Sequence, residues 1–168
     1  MADGSPLRLL LIVTGSTLRA EQMDRPLAYY LKQRIEQALA ARPSEDAFDS
    51  HVQVVADFRW IQDEGLHELA TISLGGPGVN ELAHRWLEEV PVSLAYNERY
   101  FIQMDPELTE PRASIWGMDN PTTQIAVSVF LDRFLPRFLE CFAALPPIVM
   151  DPDDGDPDAD LELDDDDD

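Results

Sequence analysis

Three times along this chain an apolar, strand-like run ends at glycine, and Ser, Thr, Asn or Asp then opens a helix-like pattern. The runs are Leu9-Leu10-Leu11-Ile12-Val13-Thr14 before Gly15-Ser16-Thr17, Thr71-Ile72-Ser73-Leu74 before Gly75-Gly76-Pro77-Gly78-Val79-Asn80, and Ala113-Ser114-Ile115-Trp116 before Gly117-Met118-Asp119-Asn120. Strands followed by crossover helices pair in parallel, so all three junctions are expected at the carboxyl ends of strands, on one edge of one sheet. Ligand crevices form along that edge.

The stretches between the junctions supply the remaining elements. Residues 16–25 read as a polar loop, and Pro26 pre-sets the backbone of a helix over 26–41 with Leu27, Leu31, Ile35, Ala38 and Leu39 as its buried stripe. Residues 52–58, rich in β-branched side chains, predict the second strand, and 62–69 suits either a loop or a short helix. Asn80 is the expected cap of a helix that Pro91 stops. Residues 92–96 and 99–104 predict an antiparallel hairpin around Asn97-Glu98, because a parallel connection needs far more chain. The last helix spans 122–145, with a kink or split at Pro136, which has no N–H to offer Asp132. The pattern is β-α-β-β-α-β-β-β-α: an α/β three-layer sandwich with a mainly parallel, Rossmann-like central sheet and an antiparallel hairpin addition.

A chain of 168 residues, 45% of them hydrophobic, buries one good core, so residues 1–150 are expected to form a single domain. The net charge is −21, yet eleven Asp and one Glu lie beyond residue 150 with no base among them. Segment 151–168 is expected to be a disordered acidic tail, since its like charges repel and its apolar content cannot offset the entropy of ordering. A solvated tail is the first reading, ahead of a docking segment for a basic surface and a calcium loop. The other 150 residues carry 21 acids against 12 bases, with Lys32 the only lysine, a balance that repels a phosphate backbone and argues against nucleic-acid binding. Residues 1–6 are polar, 7–13 only strand-sized, and no run approaches the ~20 apolar residues of a membrane span. Cys141 is the one cysteine, which excludes an internal disulfide and suits a cytoplasmic location.

At the first junction, Gly15, Ser16 and Thr17, followed by Arg19 and Arg25, offer backbone, hydroxyl and guanidinium donors to an anionic group, the alternative being a plain turn with surface arginines. Gly75, Gly76 and Gly78 permit close backbone approach, and Asn80, Gly117, Asp119 and Asn120 complete the expected ligand edge. The glycine-rich loop is neither a P-loop, which needs Lys followed by Ser or Thr, nor a dinucleotide fingerprint. Gly75-Gly76-Pro77-Gly78 with Glu81 resembles the Gly-Gly-x-Gly-Thr-x-x-Glu element of nucleotide-processing proteins related to cytokinin-activating phosphoribohydrolases. Val79 stands in place of the threonine and Glu81 one residue early, and the family's preceding arginine has no counterpart, so no function is carried over.

No catalytic set is legible. Cys141 lies between Phe138 and Phe142 as a core cysteine, His51, His67 and His84 are dispersed, and Glu81 with His84 lacks the second pair a metal site would need, so no metal is expected. Asp24, Asp57 and Asp119 stand near the ligand edge as candidate acid–base carboxylates, although capping explains Asp24 and Asp119 equally. Trp60 and Trp116, near the same edge, suit either stacking on a planar ligand or core packing. The leading expectation is a non-catalytic domain that binds a small ligand, nucleotide-like ones included, or a protein partner, as an accessory or regulatory subunit, with the cofactor left open. One alternative is a small hydrolase or transferase using those carboxylates. The other is a pure interaction protein, because Phe130, Phe134, Phe138 and Phe142 with Leu131, Leu135 and Leu139 make two stripes wider than one sheet face covers. A partner chain or a second copy is therefore expected on that helix.

Overall fold

The computed structural model describes residues 7–148, and the expected acidic tail lies outside the described residues. In chain order the elements are β1 (Arg8–Thr14), a π-helical turn (Ala20–Asp24), α1 (Arg25–Ala40), β2 (Ser50–Ala56), α2 (Asp57–Gln62), β3 (Ala70–Leu74), α3 (Glu81–Glu89), β4 (Val92–Tyr96), β5 (Tyr100–Met104), β6 (Arg112–Gly117), α4 (Asn120–Arg133) and α5 (Leu135–Ala144). The six strands form one sheet in the order β2-β1-β3-β6-β5-β4. The first four are parallel, and β5 and β4 continue the sheet with antiparallel pairings. Asn97 and Glu98 turn the β4–β5 hairpin with φ of 48° and 54°, the left-handed pair whose twist matches that of the flanking strands.

Alternation along the strands divides the core between two faces. Leu10 and Ile12 of β1, Ile72 and Leu74 of β3 and Ile102 of β5 pack with Leu31 and Ile35 of α1, Phe130 of α4 and Phe138 and Phe142 of α5. Leu11 and Val13 point the other way, against Trp60 of α2 and Leu82 and Trp86 of α3. Helices therefore cover both sides of a mixed, mostly parallel sheet.

Residues 18–25 are helical where the sequence suggested a loop over 16–25. Helical backbone starts at residue 18 behind Thr17, whose Oγ1 accepts from the Ala20 amide at 3.2 Å. The following turn is π-helical, closing with a bond from the Arg25 N–H to the Ala20 carbonyl. Pro26 supplies the reason. It has no N–H for the Gln22 carbonyl and its ring crowds that oxygen, so one extra residue in the preceding turn resets the register before α1 continues. Strand β2 likewise ends at Ala56, two residues short of the sequence expectation, because Asp57 opens α2.

The last helix splits at Pro136, with α4 ending at Arg133 and α5 beginning at Leu135. Of its two stripes, Phe130, Phe138, Phe142, Leu135 and Leu139 are buried within the chain, while Phe134 and Leu131 are half-buried. Ala38 and Leu39 of α1 and the Phe48 ring, which meets Phe142 edge-on at 5.6 Å, pack into the same cluster. The surplus apolar surface that motivated a partner on this helix is largely covered by the chain itself.

Two buried carboxamides hold α3. Asn80 Oδ1 caps the helix by accepting from the amides of Leu82 (3.0 Å) and Ala83 (3.2 Å). Its Nδ2 donates toward the carbonyls of Val13 (3.1 Å) and Leu74 (3.0 Å) and Ser73 Oγ (3.1 Å), tying the helix start to the ends of β1 and β3. At the far end Gln103 Nε2 donates to the carbonyls of Val90 (2.9 Å), Leu87 (3.2 Å) and Trp86 (3.3 Å), and its Oε1 accepts from Trp116 Nε1 at 3.1 Å. Asn80→Ala removes a cap and strands two strand-end carbonyls without their donor, so urea unfolding should show a loss of about 3 kcal/mol.

Candidate functional site

Because β1, β3 and β6 are parallel, the three glycine junctions emerge on one edge of the sheet. The first two are packed against each other. The Val79 carbonyl lies where a Gly15 side chain would begin, so only glycine admits the contact. Ser16 Oγ donates to Asp57 Oδ1 (2.5 Å), which also accepts from the Phe58 amide (2.8 Å), and Asp57 Oδ2 accepts from the Glu81 amide (2.9 Å) at the start of α3. Thr17 Oγ1 accepts at the start of the helical turn and Arg25 is paired to Glu21 at 2.9 Å, so Ser16 and Arg25, two of the side-chain donors expected to cradle an anion at this junction, are already engaged.

The open space lies one strand further along, between the ends of β3 and β6. A cavity of about 300 Å3 is walled there by Gly76, Pro77, Gly78 and Val79 on one side and by residues 116–120 on the other, with Arg19, Met23 and Asp24 contributed by the π-helical turn. It gathers Arg19, Gly76, Gly78, Gly117, Asp119 and Asn120 from the expected site. It does not gather Gly15, Ser16, Thr17, Arg25, Gly75 or Asn80. Gly117 brings α4 close: its amide donates to Thr123 Oγ1 at 3.1 Å, and an added Cβ would collide with Thr122. Asp119 Oδ1 accepts from the Thr122 amide (2.9 Å) and hydroxyl (2.8 Å), and these bonds hold its carboxyl below the ordinary range. Its carboxylate is thus committed to capping α4, as Asp57 is committed to α2 and α3.

Asp24 differs from both. It is 7% exposed, and among the described residues its carboxyl takes part in no hydrogen bond. Burial raises its pKa from the ordinary 3.8 to about 6, with the Arg19 charge pulling the other way. The π-helical turn explains its position, because Ala20, Asp24, Ala28, Leu31 and Ile35 form one continuous buried stripe down the helix. Room for the carboxyl comes from Gly75, which sits at φ 105° and whose Cβ would lie 2.6 Å from Asp24 Oδ2.

Trp116 presents its indole to the cavity and stacks on Phe101 at 4.3 Å, while exposed Met23 and Met118 flank the opening. Trp60 belongs elsewhere, since its Nε1 donates to Thr71 Oγ1 (3.2 Å) near the amino end of β3 and its ring stacks on His67 at 4.0 Å. Cys141 is half-buried, its thiol facing the Leu108 carbonyl at 3.3 Å and its pKa raised by burial. Among the described residues no cluster of three His, Cys, Asp or Glu side chains has metal-binding geometry, and no helix is long and apolar enough to cross a membrane. Set against known proteins, the chain matches no family model and no curated sequence.

The glycines of the site make opposite predictions. Gly117→Ala forces a Cβ to 2.5 Å from the Thr123 amide nitrogen and should cost more than about 2 kcal/mol in urea unfolding. At Gly76 the nearest atoms to an added Cβ are 3.8 Å away, so Gly76→Ala should stay within about 1 kcal/mol of wild type.

Asp24 carries a pH signature. The unfolded carboxyl titrates near 3.8 and the folded one near 6, so the native state holds the proton more tightly. The stability this gives is complete below the unfolded value and is lost as pH rises through the folded one. Asp24→Asn should match wild type at pH 4 and exceed it at pH 7.5 by roughly 2 to 3 kcal/mol, read from urea midpoints at the two pH values.

Proposed function

We propose that this chain is a small-ligand-binding α/β domain whose site is the cavity between the ends of β3 and β6, acting as an accessory or regulatory subunit. One observation carries the reading. A cavity of about 300 Å3 sits at the carboxyl edge of a parallel sheet and is lined by Asp24, which is 7% exposed and whose carboxyl takes part in no hydrogen bond among the described residues. Apolar surface from Met23, Pro77, Trp116 and Met118 lies beside Asp24 and a few further polar groups, Arg19, Asp119, Asn120 and Thr123, the composition of a site that recognises a compact organic molecule. A Rossmann-like kinship and a nucleotide-like ligand are part of the same proposal, supported by the parallel β2-β1-β3-β6 core and by the edge on which the cavity lies.

Asp24 also favours a second reading, a small hydrolase or transferase, because a carboxyl titrating near 6 is matched to proton transfer near neutral pH. That reading lacks a second group, since Asp57 and Asp119 are both held as caps. A non-catalytic site needs no such group.

Amide chemical shifts provide the test. Titrating labelled protein with a panel of nucleosides, nucleotides, amino acids and sugars should shift the amides of Gly76, Gly78, Gly117 and Met118 for at least one compound. Gly76→Leu, whose branched side chain fills the cavity from a position with space for its Cβ, should abolish those shifts. Shifts confined to other surfaces, or unaffected by Gly76→Leu, would reject the site.

A further inference from the structure

The reading above leaves the ligand unidentified, and the Asp24 carboxyl narrows its chemistry. Among the described residues no donor reaches either carboxyl oxygen, and a carboxylate is best satisfied by two parallel N–H groups held in one plane. Three kinds of ligand donate to a carboxylate through nitrogen: an ammonium, with a single tetrahedral centre, and a guanidinium or an aminated heterocycle, each with two N–H groups in one plane. The rest of the cavity separates them. Arg19 lines the same space and its charge acts on Asp24, so a second cation would enter against like-charge repulsion. The Trp116 indole and the side chains of Met23 and Met118 offer flat or polarisable apolar surface, which a hydrated point charge leaves unused and a planar ring covers. The glycine wall at 76 and 78 lets a ring approach the backbone closely.

We infer that the cavity binds a neutral, planar heterocycle presenting a ring N–H and an exocyclic amino group side by side, as on the guanine edge, with both donors received by the Asp24 carboxylate. This rests on the ligand-binding reading of the cavity. Such a ligand brings no charge of its own to be desolvated, and its two donors hydrogen-bond the carboxylate. The groups around Asp24 leave it free for this role. The π-helical turn contributes Arg19 beside it, the 75–79 loop contributes no titratable side chain, and the β6–α4 junction contributes only Asp119, which is held by Thr122. The exposed Arg19 guanidinium also gives an anionic substituent on the heterocycle a favourable contact.

Calorimetric titration at pH 7.5 with guanosine, inosine, adenosine and guanidinium chloride tests the inference on wild-type protein, Asp24→Asn and Gly76→Leu. Guanosine should bind wild type. Inosine, which keeps the ring N–H but lacks the amino group, should bind about tenfold or more weakly, as sites built around a donor reject analogues without it. Asp24→Asn should weaken guanosine by a similar factor, and since it removes an unpartnered buried charge it is expected to fold. Guanosine binding by wild type should also fall as pH is lowered from 7.5 to 5, because the carboxylate gains a proton that competes with the ligand donors. Equal binding of guanosine and inosine, undiminished guanosine binding by Asp24→Asn, or tighter binding of guanidinium than of guanosine would each overturn the inference. If the nucleosides fail while another compound of the panel shifts the cavity amides and is blocked by Gly76→Leu, the donor-pair inference falls and the ligand-binding reading stands. If no compound does so, both fall.

Discussion

The Asn80 carboxamide joins the ends of two parallel strands to the first turn of the helix that follows them, and the carboxyl edge of the sheet takes its shape from that joint. Its oxygen satisfies amides that the start of α3 would otherwise expose, and its nitrogen satisfies carbonyls where β1 and β3 stop pairing. With Asn80 fixed, the 75–79 loop has little freedom, and the Val79 carbonyl closes over Gly15. In open parallel sheets the crevice usually forms where neighbouring connections diverge to either side, here on both flanks of β3, because α3 leaves on one face while α1 and α4 leave on the other. The flank toward β1 is filled by Gly15, Val79 and the Ser16–Asp57–Glu81 hydrogen bonds, and the accessible space is the flank toward β6.

The two faces of the sheet are held by different physics. Toward α1, α4 and α5 the contacts are almost wholly apolar, and burial is their main source of stability. Toward α3 the sheet presents Ser73, Ser114 and Gln103 in one cross-strand row, all fully buried. Hydrogen bonds from Asn80 and Gln103 organise that layer and leave Ser114 Oγ without a partner among the described residues. Apolar packing tolerates small displacements, whereas hydrogen bonds are directional, so the wall of the cavity that belongs to α3 is fixed in orientation as well as position.

Much of this was legible locally. Apolar runs ending at glycine gave the three junctions, a cap residue before a helical stripe gave Asn80 its place, and the absent N–H of Pro136 gave the break between α4 and α5. What escaped depends on distant pairings or on a changed helical period. Ser16 meets Asp57 across 41 residues, and Asn80 meets Val13 across 67, so no window of sequence contains both partners. Coverage of the Phe and Leu stripes depended on where α1 and Phe48 dock. Asp24 was masked differently, because a polar stretch ahead of Pro26 resembles a loop unless the buried stripe is traced back from Ala28 by steps of four. An acid on a core stripe was the available signal.

The extra residue in the π-helical turn has a consequence for how this chain can vary. In an ordinary helix each residue advances by about 100°, so removing one residue between the Thr17 cap and Pro26 would rotate every upstream side chain relative to α1. Asp24 therefore keeps its place on the buried stripe of α1 only while the π-helical turn keeps this length. The inner face of α1 is anchored to the sheet by Ala28, Leu31 and Ile35, and the segment before Pro26 can change length without disturbing that anchor. Insertions and deletions, elsewhere confined to surface loops, have here a route to re-aiming a buried acid while the core keeps its register.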